Sequence, residues 1–149
     1  MSFQMDDRLT ATCIMLIDWP LCRVLLKNNA DYPWLILVPR QNELRDVDDL
    51  SPTLRHQLID EISQLSTIVK TYFKPDKLNV GTLGNIVSQL HIHIVARYSH
   101  DKLWPHGIWQ AAQTESMYSK ESLKSIVDDL QLELSATIQW LSASHQYRD

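Results

Sequence analysis

The spacing of apolar positions changes period along this chain. Ala11 to Ile17 and Leu21 to Lys27 are rich in apolar and β-branched residues and are parted by Asp18-Trp19-Pro20, which predicts two strands joined by a turn. A turn-rich stretch, Asn28 to Pro33, leads into Trp34-Leu35-Ile36-Leu37-Val38, stopped by Pro39. A continuous apolar run of that length predicts a strand covered on both faces. The period then becomes helical. Leu54, Leu58, Ile62, Leu65, Val69 and Tyr72 recur behind Ser51, a good N-cap, and Pro52, suited to the first helical position, until Lys74-Pro75 ends the pattern. A short strand near Lys77 to Val80, a loop through Gly81 and Gly84, and a long strand from Gln89 to Arg97 come next. After a polar stretch, a second amphipathic helix is expected from about Ser119 to Trp140, with Leu123, Ile126, Val127, Leu130, Leu134, Ile138 and Leu141 on one stripe. With no internal repeat and no linker, these elements predict one α+β domain over residues 1–149, built on an antiparallel sheet.

The strand Gln89-Leu90-His91-Ile92-His93-Ile94-Val95-Ala96-Arg97 carries the candidate chemistry. Side chains alternate faces along a strand, which puts Gln89, His91, His93 and Arg97 on one face and Leu90, Ile92, Ile94 and Ala96 on the core side. Residues two apart on a strand are roughly 6.6 to 7 Å apart, so both rings can reach one phosphate. An imidazole with its ordinary pKa near about 6.5 is mostly neutral at pH 7 and is a capable nucleophile. One ring can attack phosphorus while the other donates to a non-bridging oxygen, and Gly81-Thr82-Leu83-Gly84-Asn85 can bring backbone N–H groups to the same oxygens. The spacing alone also admits a zinc pair with His100 or His106 as third ligand, or polar residues that are merely satisfied. Arg97 reads as support for a polyphosphate or as a charge at a strand end. Asn79 and Asn85 read as phosphate contacts or as turn residues. Trp104, Pro105 and Trp109 are expected to shape a rim, while His56 and His145 are expected at the surface.

Composition narrows the partners. At 149 residues and 44% apolar, the chain has enough material for one core, and its net charge of -4 with no dominant basic patch argues against duplex nucleic acid. No apolar run approaches the roughly 20 residues needed to span a bilayer, and the acidic start Met1 to Asp7 is unlike a secretory signal, so a cytoplasmic protein is expected. Cys13 and Cys22 flank the first turn and are expected as reduced thiols.

The motif Gln89-Leu90-His91-Ile92-His93-Ile94-Val95 resembles that of the histidine triad (HIT) family of nucleotide hydrolases and transferases, His-x-His-x-His with apolar x. The resemblance extends through Asn79, Gly84-Asn85, Arg97 and Leu37 to Arg40 and covers residues 10 to about 110. Trp104-Pro105-x-x-Ile108-Trp109 is similar to a bacterial, diadenosine-tetraphosphate-hydrolase-like branch. The resemblance implies a HIT-like antiparallel sheet with one long helix, an added C-terminal helix (about 119–141), and a homodimer. It implies hydrolysis or nucleotidyl transfer at the α-phosphate of a purine nucleotide conjugate, such as a dinucleoside polyphosphate or a nucleoside phosphoramidate. The family's nucleophile falls on His91. His93 would contact phosphate, stabilise charge and help protonate the leaving group. Gln89, Asn85, Asn79 and Arg97 would contact substrate, with no metal or other cofactor at the catalytic centre. The chain departs from its relatives at three histidine positions, which carry Gln89, Trp34 and Asn42, while the acidic residue that often holds ribose falls near Asn28. A non-catalytic nucleotide-binding module and a metal-binding protein using His91 and His93 are the two alternatives.

Overall fold

Residues 2–109 and 115–144 are described in the computed structural model. A short helix, α1 (Asp7–Thr12), leads into β1 (Cys13–Asp18), β2 (Cys22–Lys27) and β3 (Trp34–Pro39). The long helix α2 (Pro52–Phe73) precedes β4 (Lys77–Gly81) and β5 (Ile92–Arg97), and α3 (Lys120–Ser144) follows. The strands form one sheet in the order β1-β2-β3-β5-β4, and every neighbouring pair is antiparallel. This is the expected α+β architecture.

The sheet is buried on both faces. Leu35, Leu37, Ile92, Ile94 and Ala96 face the core that α2 and α3 cover. Trp34, Ile36, Val38 and Val95 face the other way and pack with Leu9, Tyr32 and Ile108. The alternation of side chains therefore makes β3 apolar at every position. α2 begins where expected, with Ser51 Oγ accepting from Leu54 N–H at 3.3 Å, and ends on Lys74 in the left-handed region at φ 50°. Leu130, Leu134 and Leu141 of α3 are fully buried, and the Trp19 indole N–H donates to the Leu134 carbonyl at 3.0 Å. The C-terminal stripe is thus core. Among the described residues no helix is long and apolar enough to cross a membrane.

Three boundaries differ from expectation. Ala11 and Thr12 belong to α1, which Asp6 starts by accepting from Arg8 N–H at 2.9 Å, so β1 begins at Cys13. β5 begins at Ile92 because β3 pairs only from Leu37↔Ile92 onward, while the Leu90 N–H is satisfied by the Leu44 carbonyl. α3 runs past Trp140 to Ser144. Cys13 pairs with Lys27 and Cys22 with Pro39, at opposite ends of β2, and both thiols are free. His56 is exposed on α2; His145 lies outside the described residues.

The turn between β1 and β2 is held from beneath by α2. Glu61 is fully buried and accepts from the Leu21 N–H at 2.9 Å and the Cys22 N–H at 2.8 Å. Burial raises its carboxyl pKa, and the two backbone donors offset part of that rise. Glu61→Ala strips both donors of their acceptor, at about 1–3 kcal/mol for each unsatisfied group. Urea unfolding is expected to show a loss of roughly 2–4 kcal/mol, and about half of that for Glu61→Gln, which keeps one acceptor oxygen.

Candidate active site

His91 and His93 stand on the face of the sheet away from α2, beside a cavity of about 630 Å³ that the described residues line. The walls include Leu9 of α1, Lys27 of β2, Trp34 of β3, Asn85 of the 82–91 loop and Trp109. The two rings meet edge to face, with centroids 4.8 Å apart. They are only 5% and 7% exposed.

Their hydrogen bonds set which ring nitrogen carries the proton. His91 Nδ1 lies 2.6 Å from the Gln89 carbonyl. A carbonyl only accepts, so Nδ1 holds the hydrogen and Nε2 keeps its lone pair. His93 is arranged the other way, with its Nδ1 accepting from the Trp34 indole N–H at 2.9 Å. An indole only donates, so the neutral His93 ring carries its hydrogen on Nε2. Burial above all, with the nearby His91 ring and Lys27 ammonium acting in the same direction, pushes the His93 pKa down to about 3. At neutral pH this ring is therefore an N–H donor and holds no second proton. The expected help in protonating a leaving group would have to come from this Nε2–H alone. One ring offers a lone pair and its neighbour offers a donor, as displacement at phosphorus requires.

Trp34 is the residue the pattern alone did not single out. Ile36 pairs with His93 and Trp34 with Val95, so Trp34 shares the His93 face two residues along. Its ring meets that of His93 edge to face at 5.5 Å. Trp34→Phe keeps the ring but removes the only donor this residue can offer to Nδ1. Loss of one such bond is worth about 1–1.5 kcal/mol. Nitrogen NMR of His93 should show the Nε2–H tautomer in the native protein and a mixture in the variant, a change that a purely structural role for Trp34 would not produce.

The other expected site residues divide. Asn85 lines the cavity, in the loop where Gly84 takes φ 83°. Arg97 is 1% exposed and is not among the residues that line the cavity. Its Nε and Nη2 donate to Asp101 at 2.8 and 3.0 Å, and its Nη1 donates to Asn79 Oδ1 at 2.8 Å. Arg97 and Asn79 are thus brought to each other rather than to His91. Gln89 turns to the N-terminal segment, donating to the Gln4 carbonyl at 2.9 Å and accepting from the Asp6 N–H at 2.8 Å. Asn28 accepts from the Tyr118 N–H at 3.1 Å, and its neighbour Asn29 lines the cavity instead. Trp109 packs 5.5 Å from the His93 ring, as a rim residue should, while Trp104 lies near Arg97, with the guanidinium carbon 5.9 Å from its ring centroid. Among the described residues no group of three or more His, Cys, Asp or Glu is placed to hold a metal ion.

An antiparallel sheet with this pair of oppositely protonated histidines defines a class, and comparison with known proteins places the chain in it. The HIT domain model matches residues 8–100, and the chain belongs to the histidine triad family. Solved structures agree along nearly its full length. A histidine triad protein from Marinobacter aquaeolei is 36% identical, covers 95% of this chain and 99% of its own, and superposes with a TM-score of 0.84. One from Bradyrhizobium japonicum is 35% identical over 89% of this chain and 98% of its own, with a TM-score of 0.85. A third, from Sinorhizobium meliloti, is 32% identical over 85% and 93%, with a TM-score of 0.81. No match is found among curated proteins.

Proposed function

We propose that this protein is a nucleotide hydrolase or nucleotidyl transferase that acts at the α-phosphate of a purine nucleotide conjugate through a nucleotidyl-histidine. The observation that carries the reading is the bond from His91 Nδ1–H to the Gln89 carbonyl, which leaves Nε2 unprotonated beside the cavity. Nε2 attacks phosphorus, the bond to the leaving group breaks, and its electron pair departs with that group. The ring then carries positive charge, which the Gln89 carbonyl stabilises through Nδ1–H. His93 Nε2–H donates to a non-bridging oxygen as negative charge builds there. Asn85 and the backbone around Gly84 border the same cavity and hold the remaining oxygens. Water then attacks the phosphorus, the P–N bond breaks with its electron pair returning to Nε2, and the nucleoside monophosphate leaves as a proton passes to solvent.

Family membership supports this reading, and so does similarity to histidine triad proteins that cover almost the whole chain. The test is intact-protein mass spectrometry after quenching a mixture with diadenosine tetraphosphate. A gain of one AMP unit on the native chain, with AMP released in the same tube, is the expected result. AMP bound without adduct or turnover would identify a binding module instead.

A further inference from the structure

Residues 2–6 form a strap on the histidine side of the sheet, and two side-chain amides stand in for a partner strand. Asn42 Nδ2 donates to the Ser2 carbonyl at 3.0 Å and its Oδ1 accepts from the Gln4 N–H at 3.1 Å. Gln89 Nε2 donates to the Gln4 carbonyl at 2.9 Å and its Oε1 accepts from the Asp6 N–H at 2.8 Å. Every second residue of the strap is thus bonded, the pattern along one edge of an extended strand. Phe3 and Met5, which alternate with them, pack on the apolar cluster of Leu25, Ile36 and Val38. An amide carries donor and acceptor on one carbon and pairs with two neighbouring backbone groups at once, whereas the two nitrogens of an imidazole point in different directions. Asn42 and Gln89 occupy two of the positions where this chain departs from histidine, and the strap gives both amides a use.

The strap ties together the two segments that hold one peptide unit beside His91. That unit joins Gln89 to Leu90. Its N–H donates to the Leu44 carbonyl at 2.9 Å, and its C=O lies 2.6 Å from His91 Nδ1. The sheet does not hold it, because β5 starts only at Ile92. Leu44 in turn follows Glu43, whose φ of 67° puts a residue with a side chain in the left-handed region. Backbone of that kind persists where its surroundings hold it in place. Asn42, immediately before Glu43, ties this loop to the strap, and the Gln89 side chain ties the other segment to it.

We propose that Gln89 and Asn42 are positioning residues: by clamping residues 2–6 they fix the Gln89–Leu90 peptide and so keep the His91 hydrogen on Nδ1. The inference concerns the tautomer of His91, and its consequence for rate rests on the nucleotidyl-histidine reading. A neutral imidazole can carry its hydrogen on either nitrogen, and the partner of one nitrogen decides which. When the Gln89 carbonyl moves out of line, part of the population shifts that hydrogen to Nε2. The Nε2 lone pair is lost in that fraction, and with it the capacity to attack. Both amides are half-buried and lie outside the apolar core, so substitution there leaves the packing of the sheet intact.

The experiment is nitrogen NMR of the His91 ring, with hydrogen exchange at the Gln4 and Asp6 amides, on the full native chain, Gln89→Met, Gln89→Glu, Asn42→Ala and the double variant Asn42→Ala/Gln89→Met. Gln89→Met keeps the length of the side chain and loses both bonds, whereas Gln89→Glu keeps an acceptor for the Asp6 N–H. The native ring is expected wholly as the Nδ1–H tautomer. Gln89→Met should give a mixture of both tautomers and faster exchange at Asp6, and Asn42→Ala a mixture with faster exchange at Gln4. Gln89→Glu should keep the Asp6 amide protected and shift the ring less. The double variant should shift it no further than the larger single change, because both amides act through one strap. The rate of AMP-adduct formation from diadenosine tetraphosphate should fall by the same fraction as the Nδ1–H form. A ring that stays on Nδ1–H in Gln89→Met overturns the inference, as do amides that stay protected in both single variants or shifts that simply add. Tautomer shifts in a protein that forms no adduct would leave this inference standing and remove the nucleotidyl-histidine reading. An adduct on the native chain with no tautomer shift in any variant would do the reverse.

Discussion

Replacement of His91 with alanine is expected to lower turnover of diadenosine tetraphosphate by at least about a thousandfold and to eliminate the AMP adduct. That loss corresponds to roughly 4 kcal/mol of transition-state stabilisation. The size follows from what is removed. His91 Nε2 is the one ring nitrogen of the pair whose lone pair is not already engaged, because the Gln89 carbonyl holds the His91 hydrogen on Nδ1 and the Trp34 indole donates to the lone pair of His93 Nδ1. No neighbour can take over the attack, since His93 would have to lose the Nε2 hydrogen that its bond to Trp34 imposes. AMP should still bind, because most of the cavity wall, from Leu9 to Trp109, is unchanged. Single-turnover kinetics and calorimetry on one preparation separate the two effects. A variant that kept its rate within about tenfold of native would place the nucleophile elsewhere.

The largest effect on stability is expected from Arg97→Ala, at about 3–5 kcal/mol. Arg97 and Asp101 are 1% and 4% exposed, and removal of one member leaves the other charge buried without its partner. The carboxylate also gathers the following loop, accepting from the Tyr98, Leu103 and Trp104 N–H groups. Its bond to Arg97, more than any other contact, pulls the Asp101 pKa down to about 2. A carboxyl group depressed in the fold stabilises it above the ordinary range near about 4, and that contribution is lost as pH falls through about 2. His93 acts in the same direction at higher pH. Its ring stays neutral in the fold down to about 3, whereas the unfolded chain takes up a proton below about 6.5, so stability falls across that interval. Urea unfolding followed from pH 7 to pH 2 should show both limbs in the native protein. Arg97→Ala should lower the whole curve and flatten the lower limb, and an unchanged lower limb would show that the pair does not set it.

Much of the fold was legible because it rests on local periodicity. Ser51-Pro52 and Lys74-Pro75 bracket α2 within a residue of its true ends, since capping is decided by neighbours in the chain. The apolar run at 34–38 announced a strand covered on both faces. The motif strand put His91 and His93 side by side, and they are. Gln89 and Arg97 escaped the same argument for different reasons. Gln89 precedes the paired part of β5, so alternation no longer governs where its side chain goes. Arg97 does share the His93 face, but at the far end of the strand, where Asp101 and Asn79 capture it. α1 was missed although Asp6 and Asp7 mark its start, because six residues carry too few turns to show a period.

The sequence by itself determined the five strands, the two long helices, the face that carries the histidines and the family, because each follows from spacing along one segment. Only the tertiary structure decided how the site is wired. Trp34 is 59 residues from His93 and sets its tautomer. Gln89 is 83 residues from Asp6 and holds the segment that brings Arg8 to the cavity. Such contacts are hydrogen bonds between residues remote in the chain, and no local period encodes them. They depend on which strands pair and in what register, and it is the β3–β5 register that puts Trp34 beside His93.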